Sequence, residues 1–312
     1  MLTQAIAIAR GKGGVGGTST TASLAGLFAQ SGRRVLAVDM DPQGNLGRDL
    51  GYFEQVDADD SGGKALLGGA HGYPVEPLRD VRPGLDCLSA GEATEELFDV
   101  LRSRDGRRPG SAMTVIHDAL QPIASPYDLI IFDLPPGTPL AQKAVLAGVQ
   151  YALIPTRADD ASIDGLLKVD ALFAAVKTQH NPALHLLGSF LFGVGVQSTR
   201  IATNARKAIA DCLSGPHDVL TAQIRHAEGA AQDCRRLGLL PHELEAQLPD
   251  AQRARFAALR ARRDAAGKHR PEVVETRISG SATGLAQDYS ELAREVSGRI
   301  ARHRQAAPQV TH

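Results

Sequence analysis

The sequence predicts one α/β domain: a mainly parallel sheet with helices on both faces, of the P-loop NTPase-like kind. Three observations predict it. Seven short apolar or β-branched runs recur along the 312 residues, helix-like segments separate them, and the first run leads straight into a glycine-rich loop followed by a helix.

The runs are Gln4–Ala9, Val35–Val38, Leu85–Leu88, Leu129–Phe132, Tyr151–Ile154, Leu186–Val196 and Val219–Ile224. Between them, Thr18–Ser31 has helical spacing and is closed by Gly32, and Ser162–Lys177 reads as a second helix with Ser162 as its N-cap. Two stretches interrupt the alternation. Asp57–Gly72 is rich in Gly, Asp and Ser, and Arg102–Gly110 reads as a charged loop outside the sheet. From Pro249 to Gly284 the composition shifts through a basic run, Gln252–Arg263, to a Gly/Ser patch at Ser279–Gly284; residues 248–282 are read as a basic helical insertion with a flexible connection. Leu285, Tyr289, Leu292, Val296 and Ile300 then recur at helical spacing, and residues 305–312 have the composition of a disordered tail. The stripe lacks Trp and Phe and carries Asp288, Glu291 and Glu295, so packing on the domain is expected rather than membrane binding.

Composition narrows the function classes. With 43% apolar residues and a net charge of −1 the chain can bury a large core. No apolar run approaches the roughly 18 residues of a membrane helix, and the start has no signal-peptide pattern, so a cytoplasmic protein is expected. Cys87, Cys212 and Cys234 stand far apart with no C-x-x-C pair, which argues against a disulfide framework, a zinc site or a metal-cluster reductase. Zero Trp and 4% aromatics argue against base recognition by ring stacking. Residues 1–199 hold 16 Lys+Arg against 22 Asp+Glu, whereas residues 200–312 hold 18 against 13. A solvated helical surface and a surface facing phosphate both fit that asymmetry.

The chemistry lies in three motifs. The loop Gly11-Lys12-Gly13-Gly14-Val15-Gly16-Gly17-Thr18-Ser19 sits between a strand and a helix. Glycines let its N–H groups turn inward on a polyphosphate at a helix N-terminus, and Thr18 is placed to ligate Mg²⁺. The pattern is that of a P-loop except that Gly17 stands where the lysine belongs. Asp39-Met40-Asp41-Pro42-Gln43-Gly44-Asn45 follows the second strand and puts carboxylates at a strand's carboxyl end. Leu129-Ile130-Ile131-Phe132-Asp133 is an apolar strand ending in an acid, the Walker B arrangement for magnesium.

With these motifs the chain resembles the ParA/MinD family of deviant Walker-A ATPases, in particular its ParA-type partition proteins, whose loop reads KGGVGKT. Further similarity lies in Ile154-Pro155-Thr156-Arg157, Leu191-Phe192-Gly193-Val194, Ile224-Arg225-His226-Ala227-Glu228 and Gly284–Leu292, so that it spans nearly the whole chain apart from about residues 248–282. The resemblance implies ATP and Mg²⁺ as ligands. Thr18 and Asp133 would serve the metal with Asp39 supporting, and Asp41 would position or activate the attacking water. Gly11, Gly13, Gly14, Val15, Gly16, Gly17, Thr18 and Ser19 would surround the phosphates. Lys12 matches the lysine that in this family reaches across an ATP-sandwich dimer, and Pro155 and the segment around Phe192 are candidates for contacts with adenine.

The resemblance further implies a dimer on ATP binding, non-specific DNA binding by the ATP-bound dimer on the nucleoid, and a ParB-like partner that stimulates hydrolysis. Arg200, Arg206, Lys207 and Arg225 are the DNA candidates, with Arg235 and Arg236 beyond; the basic run at 252–263 is a DNA or partner contact or a solubilising helix. Losing the ammonium at position 17 removes a charge-assisted hydrogen bond to the phosphates. Such a bond is worth roughly 1.5–3 kcal/mol, and its loss affects hydrolysis more than binding because charge accumulates on the transferring group. Weak or absent turnover is therefore expected, with Lys12 as the candidate substitute cation. Two further readings stay open: a non-hydrolysing regulatory or scaffold protein on the same fold, and a MinD-like positioning ATPase, which the Asp41–Asn45 run and the weak tail disfavour.

Overall fold

The computed structural model describes residues 1–52, 63–195, 198–213, 219–264 and 278–306, with the side chains of 252 and 254–264 outside that set. The strands are β1 Leu2–Ile8, β2 Val35–Asp39, β3 Leu78–Arg82, β4 Leu85–Leu88, β5 Leu129–Asp133, β6 Val149–Thr156, β7 His185–Val194 and β8 Val219–Arg225. They form one eight-stranded sheet in the order β3-β4-β2-β5-β1-β6-β7-β8, parallel throughout except for the β3–β4 pair.

Eleven α-helices accompany it among the described residues: α1 Gly17–Gln30, α2 Asn45–Asp49, α3 Lys64–Ala70, α4 Glu92–Arg107, α5 Val115–Ala124, α6 Pro139–Gly148, α7 Asp160–Gln179, α8 Thr199–Cys212, α9 Glu228–Leu237, α10 Pro241–Asp264 and α11 Ala282–Ala306. The sheet separates two cores. Ala5 and Ala7 on β1, and Ala9 just beyond it, face a core closed by α3 to α8, while Ile6 and Ile8 face one closed by α1, α2 and α9 to α11. Side chains alternate between faces along a strand, so a sheet covered on both sides reads as nearly continuous apolar runs. That is why the central strands were visible in the sequence. All seven predicted runs are strands, although Val196 lies outside the described residues.

The differences have local causes. β3, the strand with no forewarning, is Leu-Arg-Asp-Val-Arg on an edge and mostly exposed or half-buried. The predicted loop at Arg102–Gly110 is helical as far as Arg107, because Leu97, Phe98 and Leu101 anchor α4 in the core and its charged end simply projects. Within Asp57–Gly72, residues 57–62 lie outside the described residues, and Lys64–Ala70 is the helix α3 despite its glycines. The cap of α7 is Asp159, whose carboxylate accepts from the Ser162 N–H; Ser162 is inside the helix. α10 starts at Pro241 with Leu244 in the core and continues through Pro249, so the basic stretch extends a helix that begins in the domain. The side chains of Arg255, Arg260, Arg262 and Arg263 lie outside the described residues, as do residues 265–277 and 307–312. Gln305 and Ala306, read as the start of the tail, belong to α11.

The predicted stripe Leu285, Tyr289, Leu292, Val296 and Ile300 is buried in the second core. α11 also holds the outer edge of β8. The Glu295 carboxylate accepts from the N–H groups of Thr221 and Ala222, and Arg299 donates to the carbonyls of Leu187 and Val219.

Candidate nucleotide-binding site

The carboxyl ends of β1, β2 and β5 lie side by side, with Asp39 paired in register with Asp133, and so bring the three motifs to one place. The loop after β1 reaches α1 through Gly16, whose φ of 81° is left-handed. A Cβ there would lie 2.1 Å from the Phe192 ring, so position 16 requires glycine on both counts. Phe192 thereby roofs the loop. Beside it opens a cleft of about 450 Å³, lined by Gly14, Gly16, Ser19, Phe192, Arg225 and Glu228 among others. Its size suits a small-molecule ligand.

Below the loop lies a buried acidic cluster. The Thr18 hydroxyl donates to Asp133 Oδ2 at 2.7 Å, while Asp133 Oδ1 is buried without a hydrogen-bond partner. Burial pushes the Asp133 carboxyl up to about 6, against the pull of the Arg10 charge and the Thr18 hydroxyl. Asp39 is fully buried and held well above the usual carboxylate range by burial and by the charge of Asp133. Its two oxygens accept from the N–H groups of Asp41 and Leu46, so it shapes the loop that carries Asp41. Asp41 Oδ1 accepts from Gln43 N–H, and Oδ2 accepts from Arg10. A hydroxyl and carboxylates with one unsatisfied oxygen form the hard, all-oxygen donor set that fits magnesium.

No motif in the sequence marks Arg10. It is 6% exposed at the end of β1, and its guanidinium donates to Leu134 O at 2.6 Å, Thr18 Oγ1 at 3.2 Å, Asp41 Oδ2 at 2.9 Å and Asp133 Oδ2 at 3.4 Å. Gln142 holds the same junction by donating to the carbonyls of Arg10 and Pro135. The available signal was a basic residue directly before a loop that lacks its lysine.

Lys12 lies elsewhere. Its ammonium pairs with Asp159 Oδ1 at 3.1 Å, with both side chains 44% exposed. Such a pair contributes little and is easily exchanged. Ser19 donates to Asp49, whose carboxyl burial raises while Arg235 and Ser19 lower it. Gly11 packs against the backbone of Gly165, Val15 is buried, and Gly13 and Gly14 leave open space beside their backbone. Pro155 is buried within β6 and is not among the residues lining the cleft, whereas Phe192 is.

The basic candidates divide. Arg200 and Lys207 are exposed on α8. Arg206 donates to Thr221 O and Gln223 Oε1. Arg225 grips Asp288 through Nε at 2.7 Å and Nη2 at 2.7 Å. Since Asp288 is 7% exposed, Arg225→Ala leaves a buried carboxylate without its fork. A loss of about 1–3 kcal/mol in unfolding free energy is expected; an unchanged denaturation curve would show that the pair contributes nothing.

A parallel sheet with a glycine loop, a hydroxyl and an acid at its carboxyl edge defines a protein of the P-loop NTPase-like fold. The chain matches the model of the CobQ/CobB/MinD/ParA nucleotide binding domain over residues 6–306, and it belongs to that family. A chromosome partitioning protein ParA from Myxococcus xanthus is 35% identical over 189 residues, 60% of this chain and 63% of the relative. The chromosome-partitioning ATPase Soj of Thermus thermophilus is 34% identical over 184 residues, 59% and 66% respectively. The alignments thus span just under two thirds of these relatives' own lengths. Among solved structures, the ATP complex of a Cyanothece McdA variant superposes with a TM-score of 0.70 at 19% identity, covering 95% of this chain and 96% of that one, a likeness of fold. Cobyrinic acid a,c-diamide synthase of Mycobacterium smegmatis with bound ADP and magnesium has a TM-score of 0.61 at 27% identity, covering 76% and 92%. Among the described residues no helix is long and apolar enough to cross a membrane.

Proposed function

We propose that this chain is a ParA-like partition ATPase: a nucleotide-switched dimer that binds DNA without sequence preference and turns ATP over slowly. The observation that supports it best is the convergence of Thr18, Asp41 and Asp133 under the glycine loop, in a chain whose relatives include ParA and Soj. The loop N–H groups would cradle the phosphates, with the adenosine in the cleft beside Phe192. Thr18 and Asp133 would hold magnesium, which would supply positive charge to neutralise the phosphates. Asp39 fixes the loop, and Asp41 would orient the attacking water. Lys12, exposed and only weakly engaged, is free to exchange Asp159 for the phosphates of a second copy. Arg200 and Lys207 are the exposed cations of α8 suited to DNA phosphates. A ParB-like protein would be the partner, and the nucleoid the location of the ATP form. The glycine at position 17 favours a second reading, a switch or scaffold that binds nucleotide without hydrolysis.

The test is sedimentation velocity and DNA binding with Mg·ATP, Mg·ADP or neither. Dimerisation and DNA binding with Mg·ATP alone are expected. If each protomer contributes Arg200 and Lys207, DNA affinity should fall on the order of a hundredfold between 50 and 200 mM salt. No dimer at millimolar ATP, or binding insensitive to salt, would overturn the proposal. Dimerisation without any phosphate release would select the second reading.

A further inference from the structure

The loop lacks its lysine, yet the space that the lysine would enter is filled by a cation. A Cβ built on Gly17 would lie 2.8 Å from Arg10 Cδ and 3.1 Å from both Nε and Nη1. Any side chain at position 17 would therefore press on Arg10 from its first atom and require the arginine to shift. The guanidinium is buried, and three of its acceptors, Thr18, Asp41 and Asp133, are the residues that define the nucleotide site. We propose that Arg10 is the phosphate-binding cation of this site, and that Gly17 is the residue that makes room for it. The two positions act as one exchange: the positive charge arrives from the end of β1 instead of from the start of α1.

This assignment rests on the nucleotide reading above and specifies how that reading works without the loop lysine. Lys12 does not fill the gap in this structure, since its ammonium lies on Asp159 at the surface. The chemistry of the replacement differs from that of lysine. A guanidinium is planar, permanently charged and presents five donors in a fixed fork that suits two phosphate oxygens at once, whereas an ammonium is a mobile point charge. The bonds to Leu134, Thr18, Asp41 and Asp133 hold that guanidinium in a water-poor pocket and leave one Nη1 N–H uncommitted, to which a bound polyphosphate would offer an anionic oxygen, with the rest of the fork engaging phosphate only by exchanging these partners. The affinity it confers should accordingly grow with the number of phosphates, and AMP should gain little.

The assignment makes a prediction opposite to that of a simple defect. If Gly17 were merely a lost residue, Gly17→Lys would strengthen nucleotide binding in any background. If Arg10 occupies that place, the lysine collides with it and adds a second cation beside the first, and it helps only once Arg10 is gone.

The experiment is calorimetric titration of ATP, ADP and AMP, with and without Mg²⁺, into the parent, Arg10→Ala, Gly17→Lys and the double variant, with thermal denaturation of each as the control for folding. Arg10→Ala is expected to weaken ATP binding roughly 10- to 150-fold, with AMP nearly unaffected. Gly17→Lys alone should leave ATP binding unchanged or weaker, and in the Arg10→Ala background it should recover most of the loss. Should Arg10→Ala fail to fold, Arg10→Met/Asp41→Asn removes the buried pair together and should show the same selective loss for ATP. ATP binding equal to the parent's in a folded Arg10 variant would overturn the assignment, as would an equal gain from Gly17→Lys in both backgrounds. A parent that binds no ATP at millimolar concentration would overturn the assignment and the nucleotide reading together.

Discussion

Replacing Asp41 by alanine should lower ATP hydrolysis by about two to four orders of magnitude while ATP binding persists. Asp41 stands on a loop pinned by Asp39, whose two oxygens hold the N–H groups of Asp41 and Leu46. It is 7% exposed and carries one oxygen on Arg10 and the other on Gln43 N–H. A carboxylate so fixed suits the orientation of water but is not needed to cradle phosphates. Its removal does not strand the guanidinium, because Arg10 retains Thr18, Asp133 and Leu134 as acceptors. Phosphate release by the parent and the variant, each with and without DNA, together with ATP titration, checks this. Equal turnover in both would remove Asp41 from the chemistry, while loss of ATP binding in a folded variant would make it a binding residue instead.

The second large effect is expected at Leu292. This residue is fully buried in the middle of α11, in the core that also contains Leu24, Phe28 and Leu220. Truncation to alanine removes apolar contact and leaves a cavity, which for buried leucines costs about 2–5 kcal/mol. At roughly 2–4 °C per kcal/mol for chains of this order of size, the melting temperature should drop by between about 4 and 20 °C. Differential scanning calorimetry decides. An unchanged transition would mean that α11 is a detachable amphipathic helix and would reopen the membrane reading; a large drop makes it a structural layer of the domain.

The parts of the fold that are legible in the sequence are those whose burial leaves a continuous or periodic apolar pattern, the half-buried edge strand β8 among them. β1, β2, β5 and β6 are covered on both faces and announce themselves as apolar runs, and α11 does so through its 3.6-residue stripe. β3 was invisible because an edge strand of Leu-Arg-Asp-Val-Arg carries no such pattern and owes its place to pairing with β4. The end of α4 resembles a loop in its local charge, whereas the helix is fixed by Leu97, Phe98 and Leu101 earlier along it. In the site, short motifs single out the glycine loop, Thr18, Asp39, Asp41 and Asp133, and the fold brings these residues together. Arg10 and Gln142 could not be read, because their roles depend on which strand ends lie side by side. A sequence shows that position 17 lacks a side chain; it does not show what has moved into the space. Likewise nothing local to Arg225, a DNA candidate in the sequence, reveals that its guanidinium is engaged by Asp288, 63 positions later.

The hold of α11 on β8 bears on how two copies can meet. A strand at the end of a sheet normally exposes a row of backbone groups that can recruit another strand. Here Glu295 caps the N–H groups of Thr221 and Ala222, Asp288 caps that of Arg225, and Arg299 and Arg206 take the carbonyls of Val219 and Thr221. With those groups taken, this border is closed to growth of a continuous sheet from one molecule to the next. A second copy that met this border would therefore have to engage side chains rather than backbone, and a contact of that kind can come apart without any strand having to be pulled from a sheet.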